Sequence, residues 1–507
     1  MMWPLQLPAL LALGKLAAAA STLFLSGTII AFDHDADGLE VIRDGSLLVT
    51  DDRITGVYSK GSSPDKLPSG TETVDVSGKI ITPGFIDTHR HLWQTGLKTL
   101  GSNTSLVEYL HHYGSYPATG LLTAEDVYLG QLTGIYESLA GGVTTILDHA
   151  HHTWSRDTAE AGLQAAVDSG ARIFWAYAIQ NTSASFGSTE QLQHIRDIAL
   201  NGSFRGTPTE LGIAYDSWSP PNDPGEVNAV ISTAKEFNVS VITTHSLAGP
   251  WGAVNSPEDL HALQILNTST PIVISHASFL SATGAQLLRA TNQFISITPE
   301  SEAHYGHTHP YNHLIQDQAA LGIDTHFTYS GDILFQARFW LQKTRLLLSE
   351  EILNRWQVPR LNPMSVVQAF LLATRNGGLA LRRNDLGVIA VGAKADLVVW
   401  DGTSPAMLGW NDPVAAVILH ASVGDIEHVL VDGAWKKRDG KIVEPKYPEI
   451  QHKFLKSAKR LQKVFTELDI EIPSGPWSYS GLPIAEPLQA DVLRGDGDGY
   501  GNKFLQV

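Results

Sequence analysis

The stretch Ile81-Thr82-Pro83-Gly84-Phe85-Ile86-Asp87-Thr88-His89-Arg90-His91 carries more information than any other part of the chain. An apolar run ends in two imidazoles one residue apart. In an extended chain, residues i and i+2 project to the same side, so the rings of His89 and His91 can reach one metal ion. Taken alone, the pair reads equally well as two surface histidines after a buried strand. The remainder of the sequence decides between these readings.

From about residue 80 to 375, short apolar strands alternate with helical stretches. Strands are expected at 80–87, 143–148, 172–179, 211–215, 239–243, 272–275, 294–298 and 320–323, with helices such as 124–140, 159–169, 224–237 and 257–267 between them. Eight strand–helix units of this kind predict a (β/α)8 TIM barrel. A doubly wound open sheet is the structural alternative. It would ordinarily carry a glycine-rich phosphate loop after its first strand, and none follows here.

The two ends read differently. Residues 46–49 and 53–58 flank the turn Thr50-Asp51-Asp52 as a hairpin, and 61–70 is a loop rich in Ser, Pro and Gly. Past Leu386, residues 387–401 form a turn and a buried strand, and 428–431 pairs with 434–438 through Asp432-Gly433. Neither end has enough strands for a core of its own. They are therefore expected to meet as one small flanking β-sandwich, 22–82 plus 387–445, beside a metal-binding barrel at 83–386. A helix at 449–467 and an irregular wrap from Pro473 fill the C-terminal segment, 446–507.

Functional residues of a (β/α)8 barrel sit where its strands end. The expected strand ends carry His89 and His91 on the first, His245 on the fifth, His276 on the sixth and Asp324 on the eighth. Each alone has a plain structural explanation; together they point to a metal. Imidazoles with one carboxylate suit Zn(II), Fe(II), Mn(II) or Ni(II) better than Ca(II) or Mg(II). Such an ion brings the pKa of bound water toward neutrality. Asp324 can both touch the ion and take the water's proton, and His276 can then stand behind the ligands or polarise substrate. Asp332 also lies near strand eight, but it reads better as the N-cap of the helix that follows. The second His-x-His, His307-Thr308-His309, reads as a substrate loop or a solvated loop.

Bulk properties narrow the field further. The chain of 507 residues carries a net charge of −17 with no basic run, which argues against a phosphate-backbone partner. It contains no cysteine, so disulfides, thiol nucleophiles, thiolate zinc sites and iron–sulfur clusters are excluded. Residues 1–20 resemble a secretory signal, with an apolar stretch at 8–13 and Ala17–Ala20 before Ser21, although no Lys or Arg precedes the stretch and Lys15 interrupts it. Sequons at Asn103, Asn181, Asn201, Asn238 and Asn267 would allow glycosylation. Secretion is the expectation, a cytoplasmic protein with an N-terminal extension the alternative. No segment is long enough to span a membrane.

The chain resembles the amidohydrolase superfamily of metal-dependent hydrolases. The resemblance covers residues 22–440 and rests on 82–91, on Gly142-Val-Thr-Thr-Ile-Leu-Asp-His149 and on 387–401. It is nearest to the cytosine-deaminase-like and chlorohydrolase-like branch. The likeness implies His89, His91, His245 and Asp324 as metal ligands, with Asp324 and the non-ligand His276 as catalytic residues. No lysine stands among Tyr215, Asp216, Ser217 and Trp218 at the end of strand four. The likeness therefore implies one divalent ion, zinc first and iron second, without a bridging carbamylated lysine. Ring deaminases of the branch carry a Glu three residues after the fifth-strand His, and Ala248 stands there instead. Glu300 or Glu302 is the expected substitute. Trp93, Gln94, Glu302 and His304 are the expected substrate contacts, with further aromatic and imidazole side chains at His149, His151, His152, Trp154, Trp218 and Trp251.

The function expected is hydrolysis of a non-peptide C–N bond in a small molecule: an amide, a lactam or an aminated heterocycle. The alternatives are an esterase, lactonase or decarboxylating lyase on the same site, and an inactive scaffold of the same fold. The expected partner is the small-molecule substrate, with neither nucleic acid nor a membrane; a homo-oligomer is compatible with the sequence.

Overall fold

The computed structural model describes residues 21–62, 64, 66–307 and 311–487. The signal-like segment 1–20, Thr308 and His309, and the last part of the tail lie outside the described residues. Five strands precede the barrel: β1 (Ser21–Asp33), β2 (Gly38–Thr50), β3 (Arg53–Tyr58), β4 (Glu72–Asp75) and β5 (Ile80–Pro83). The chain then leaves this sheet at Gly84, where any side chain would collide with Thr144. Sequence periodicity suggested one strand over 80–87. The structure divides it at that glycine into β5, in the flanking sheet, and β6 (Phe85–Arg90), the first barrel strand.

Seven more strands complete the barrel: β7 (Val143–Ala150), β8 (Arg172–Ile179), β9 (Glu210–Tyr215), β10 (Ile242–Leu247), β11 (Ile272–Ser278), β12 (Phe294–Ile297) and β13 (Ala319–Leu321). They pair in parallel and in chain order from β6 to β13. The seam between last and first strands is drawn together by Ile323 N and Asp324 N, which donate to His89 O at 3.0 and 2.8 Å. Every barrel strand is almost wholly buried, as expected of a parallel sheet with both faces covered. Ile86, Leu147, Phe174, Val273 and Phe294 fill the interior toward the strands' N-terminal ends. The side chains at the C-terminal rim therefore have a packed floor beneath them.

The helices begin where local chemistry places them. Thr123 accepts from Asp126 N at 3.2 Å while Asp126 accepts from Thr123 N at 2.8 Å, a capping box that opens the helix Ala124–Ala140. The same Asp126 carboxylate accepts from Ser457 and Arg460 on the last helix, Tyr447–Glu467, pinning the C-terminal segment to the barrel wall.

The remaining strands are β14 (Leu397–Trp400), β15 (Ile426–Val431), β16 (Ala434–Arg438) and β17 (Lys441–Ile442). With β1–β5 they make a nine-stranded sheet in which β5 lies between β1 and β14, so the two chain ends share one sheet. Its edge strand β3 reaches the segment before β14: Ile54 N donates to Ala393 O at 2.9 Å and Gly392 N to Ile54 O at 2.8 Å. The enclosed core includes Phe24, Leu47, Ile81, Leu397 and Leu430. Both expected hairpins form, and Asp432 (φ 48°) and Gly433 (φ 71°) adopt the left-handed pair that a two-residue turn requires. Arg172, at the start of β8, joins barrel to sheet through a bidentate pair with Asp396, at 2.9 and 3.1 Å. Among the described residues no helix is long and apolar enough to cross a membrane.

Candidate metal centre

The C-terminal rim of the barrel brings His89, His91, His245, His276 and Asp324 into one cluster. Ligand atoms of His89, His91 and Asp324 lie within 4.8 Å of one another, as do those of His89, His245 and His276. His91 Nε2 is 3.1 Å and His89 Nε2 3.5 Å from Asp324 Oδ1, while His276 Nε2 stands 3.9 Å from Asp324 Oδ2. Asp332 caps the helix Ile333–Leu353, accepting from Leu334 N at 2.9 Å, and takes no part in the cluster.

Outer hydrogen bonds decide which nitrogens face inward. His91 Nδ1 is 2.9 Å from the carbonyl of His149, which can only accept, so Nδ1 carries the proton. His245 Nδ1 is 2.8 Å from Asp216 Oδ2, and the same reasoning applies. The two Nε2 lone pairs then face each other at 3.3 Å, with the Asp324 carboxylate beside them. His89 is also aimed inward: its Nδ1 meets Ser275 Oγ at 2.8 Å, and its buried Nε2 has no hydrogen-bond partner. Convergent lone pairs and a carboxylate repel one another unless a cation lies between them. Asp216 supplies the carboxylate–histidine contact that orients metal-binding imidazoles. The cavity's desolvation works against its charge, yet His245 and His149 hold the carboxyl well below the usual range. Replacing Asp216 by alanine is expected to weaken metal binding about 10–100-fold, read by competition with a chelator; unchanged affinity would show that this carboxylate does not orient His245.

Two of these residues adopt left-handed backbone, His276 at φ 68° and Asp324 at φ 72°. Each such position costs on the order of 1–3 kcal/mol and persists only where its surroundings enforce it. Asp324 N is tied to His89 O at 2.8 Å, and His276 O accepts from Asn312 Nδ2 at 3.0 Å. The helix Pro299–Tyr305 supplies further support. Ser301 Oγ donates to Asp324 Oδ2 at 2.6 Å, and Thr298 Oγ1, at the helix start, meets His276 Nδ1 at 2.8 Å.

A cavity of about 630 Å³ opens above the cluster, lined by His91, His245, His276 and Asp324 and by Tyr109, His151, Asp216, Trp251, Asn255, Tyr305 and His307. The four expected substrate contacts are not in its walls. Trp93 is buried behind them, donating to His151 Nδ1 at 2.9 Å; Gln94 is buried too, donating to Tyr109 OH at 3.1 Å. Each touches a neighbour that does face the cavity. Glu302 is fully buried, with Oε1 accepting from Thr298 N at 3.0 Å and burial pushing its carboxyl up to about 7. Glu300 pairs with Gln336 at 2.9 Å, and His304 packs beside Tyr305 and Tyr329. From this helix it is Ser301, through Asp324, and Tyr305, in the cavity wall, that reach the site. Among the aromatic and imidazole side chains, His151 and Trp251 line the cavity, whereas His152 and Trp218 are buried outside it. His307 lines the cavity beside His276, ring centroids 4.6 Å apart; its loop partner His309 lies outside the described residues.

The sequence model of the amidohydrolase family matches residues 80–436. A 5-methylthioadenosine/S-adenosylhomocysteine deaminase of Pelotomaculum thermopropionicum is 24% identical over 422 residues, 82% of this chain and 92% of that protein. A 5'-deoxyadenosine deaminase of Methanothermobacter thermautotrophicus is 27% identical over 432 residues, 82% of this chain and 93% of that one. Among solved structures, an adenosine deaminase from Xanthomonas campestris with bound zinc superposes with a TM-score of 0.75 at 17% identity, covering 88% of this chain and 99% of that one. The zinc complex of an atrazine chlorohydrolase from Arthrobacter aurescens gives 0.72 at 18% identity, covering 86% and 100%. These superpositions establish the fold. With the inward-facing donors described above, the chain carries a site for a divalent metal.

Proposed function

The chain belongs to the amidohydrolase family, and from that premise we propose that it is a metal-dependent hydrolase of a non-peptide C–N bond in a small molecule, holding one zinc ion on His89, His91, His245 and Asp324. The observation that carries this reading is the 3.3 Å approach of two imidazole nitrogens whose protons are both committed elsewhere. A single ion fits the residues at the end of β9, Tyr215 to Trp218, which include no lysine to bridge a second.

When bound, a divalent ion makes water nucleophilic near neutral pH and polarises a C=O or C=N bond. The rest falls to the protein. Asp324, kept anionic against burial by His89 and His91, accepts the attacking water's proton at a carboxylate oxygen and hands it to the departing nitrogen. Burial holds His276 neutral. In the tautomer in which Thr298 Oγ1–H donates to Nδ1, the His276 proton sits on Nε2, where it can stabilise negative charge developing on the substrate. Ser301 fixes the carboxylate's rotamer through Oδ2.

The related deaminases act on adenosine derivatives, and the related chlorohydrolase on a triazine. Asp216 and Asp324 are the carboxylates among the described residues of the cavity wall, and Asp216 is engaged by His245. With alanine at 248, none of the described wall residues offers a free carboxylic acid for a ring nitrogen, which favours an amide or lactam carbonyl over a purine. The test is metal analysis followed by a substrate screen. Dialysis against a chelator is expected to remove activity on aryl amides and lactams, and one equivalent of zinc to restore it. A fully active metal-free protein would overturn the reading. Oxygen-18 from water entering the product separates hydrolysis from a lyase step.

A further inference from the structure

The family match ends at residue 436, yet residues 477–479 line the same cavity as His91, His276 and Asp324. They belong to a small hairpin that the C-terminal segment lays over the barrel mouth. Trp477 N donates to Leu482 O at 2.6 Å, Gly481 N to Trp477 O at 2.7 Å and Ile484 N to Gly475 O at 2.9 Å. Trp477 anchors the hairpin to the loop after β10, its Nε1 donating to Trp251 O at 2.8 Å. Gly252 (φ 74°) allows this approach, because a side chain there would meet Tyr479 O at 2.8 Å.

We propose that this hairpin, resting on the hydrolase reading above, builds the specificity pocket of the site, and that Trp477 and Trp251 select a substrate bearing a flat aromatic ring. The two indoles stand at 89° with centroids 6.0 Å apart, and His111 closes the same corner 6.2 Å from Trp477. A right-angled aromatic corner offers one ring face and one ring edge, the two arrangements a planar guest prefers. The Trp477 N–H is already used by the backbone, so its ring contributes apolar contact and no further hydrogen bond. Leu106, Leu110 and Leu247 extend the same wall. Gln180 and Asn255 border the cavity as well, their side-chain amides held by the protein: Gln180 Nε2 donates to His151 O at 2.7 Å and Asn255 Nδ2 to His245 O at 2.8 Å.

The test uses the full-length, zinc-loaded protein and 2-acetylnaphthalene, an aromatic ketone with no C–N bond to break, titrated by calorimetry beside an aliphatic ketone of equal carbon number. Trp477→Ala is expected to weaken binding of the aromatic ketone about tenfold and leave the aliphatic one unchanged, while Trp477→Phe stays within about threefold of the wild type. Trp477→Leu keeps apolar bulk without a ring face and serves if the alanine variant does not fold. Equal binding of the aromatic ketone by wild type and both ringless variants would overturn the proposal, as would the same loss for both ketones. Zinc content measured in the same samples separates this outcome from failure of the hydrolase reading, which would show as a wild type that holds no metal.

Discussion

Asp324→Asn is expected to leave the fold intact and lower kcat/KM by at least about 10³-fold, within the range that positioned acid–base groups supply. The substitution is nearly isosteric. Asparagine is also among the residues best tolerated in left-handed backbone, which is what φ 72° at this position demands. Ser301 can still donate to the amide oxygen, and the seam bond from residue 324 N to His89 O is unaffected. What disappears is an anionic oxygen 3.1 Å from His91 Nε2. With it go one metal donor and the acceptor for the water's proton. Three imidazoles remain, so zinc content is expected to fall less than activity. Steady-state rates together with metal analysis read both quantities. Turnover within tenfold of the wild type, with zinc retained, would remove Asp324 from the chemistry.

Much of this site is visible in the sequence because strand ends are easy to locate when an apolar run stops. His89, His91, His276 and Asp324 follow directly from that rule. His245 follows from the same rule, although its strand is displaced from the expected one. The apolar signal at 239–243 suggests that the strand ends before it, but Val239 N is still bonded to Ala234 O at the preceding helix end. The strand therefore runs later, as Ile242–Leu247, and His245 lies within it. Asp216 and Ser301 carry no comparable signal. Each matters only through the ring or carboxylate it touches from another element, and the sequence does not say which residues will meet. The same limit explains Trp93 and Gln94. They follow the His-x-His closely, but the short 3-10 helix Leu92–Leu97 buries them behind the cavity wall. Trp477, more than two hundred residues from Trp251, could not be placed at the cavity by any local pattern. The fold was more legible than the walls because alternation of strands and helices is a repeated local pattern, whereas each wall contact is a single tertiary event.

The largest stability effect is expected far from the metal, at Arg172→Leu. The guanidinium is 3% exposed and its partner Asp396 4%, and the two meet in a fork at 2.9 and 3.1 Å. A second carboxylate, Asp432, touches the same guanidinium. Asp432 retains Lys394 at 2.9 Å when the arginine is gone, whereas among the described residues the Asp396 carboxylate keeps one hydrogen bond, from Asp432 N at 2.8 Å, and no ion pair. An ionised carboxylate would then be buried without a countercharge, which costs about 3–5 kcal/mol. The location adds to the consequence: Arg172 opens barrel strand β8, and Asp396 directly precedes β14 of the flanking sheet, so the pair joins the two layers. Denaturant unfolding is expected to show the loss in the single variant and a substantial recovery in Arg172→Leu/Asp396→Leu, because removing both charges also removes the uncompensated one. A single variant within about 1 kcal/mol of the wild type, the size of an exposed pair, would mean that water reaches Asp396 and that the joint rests on the apolar contacts around it.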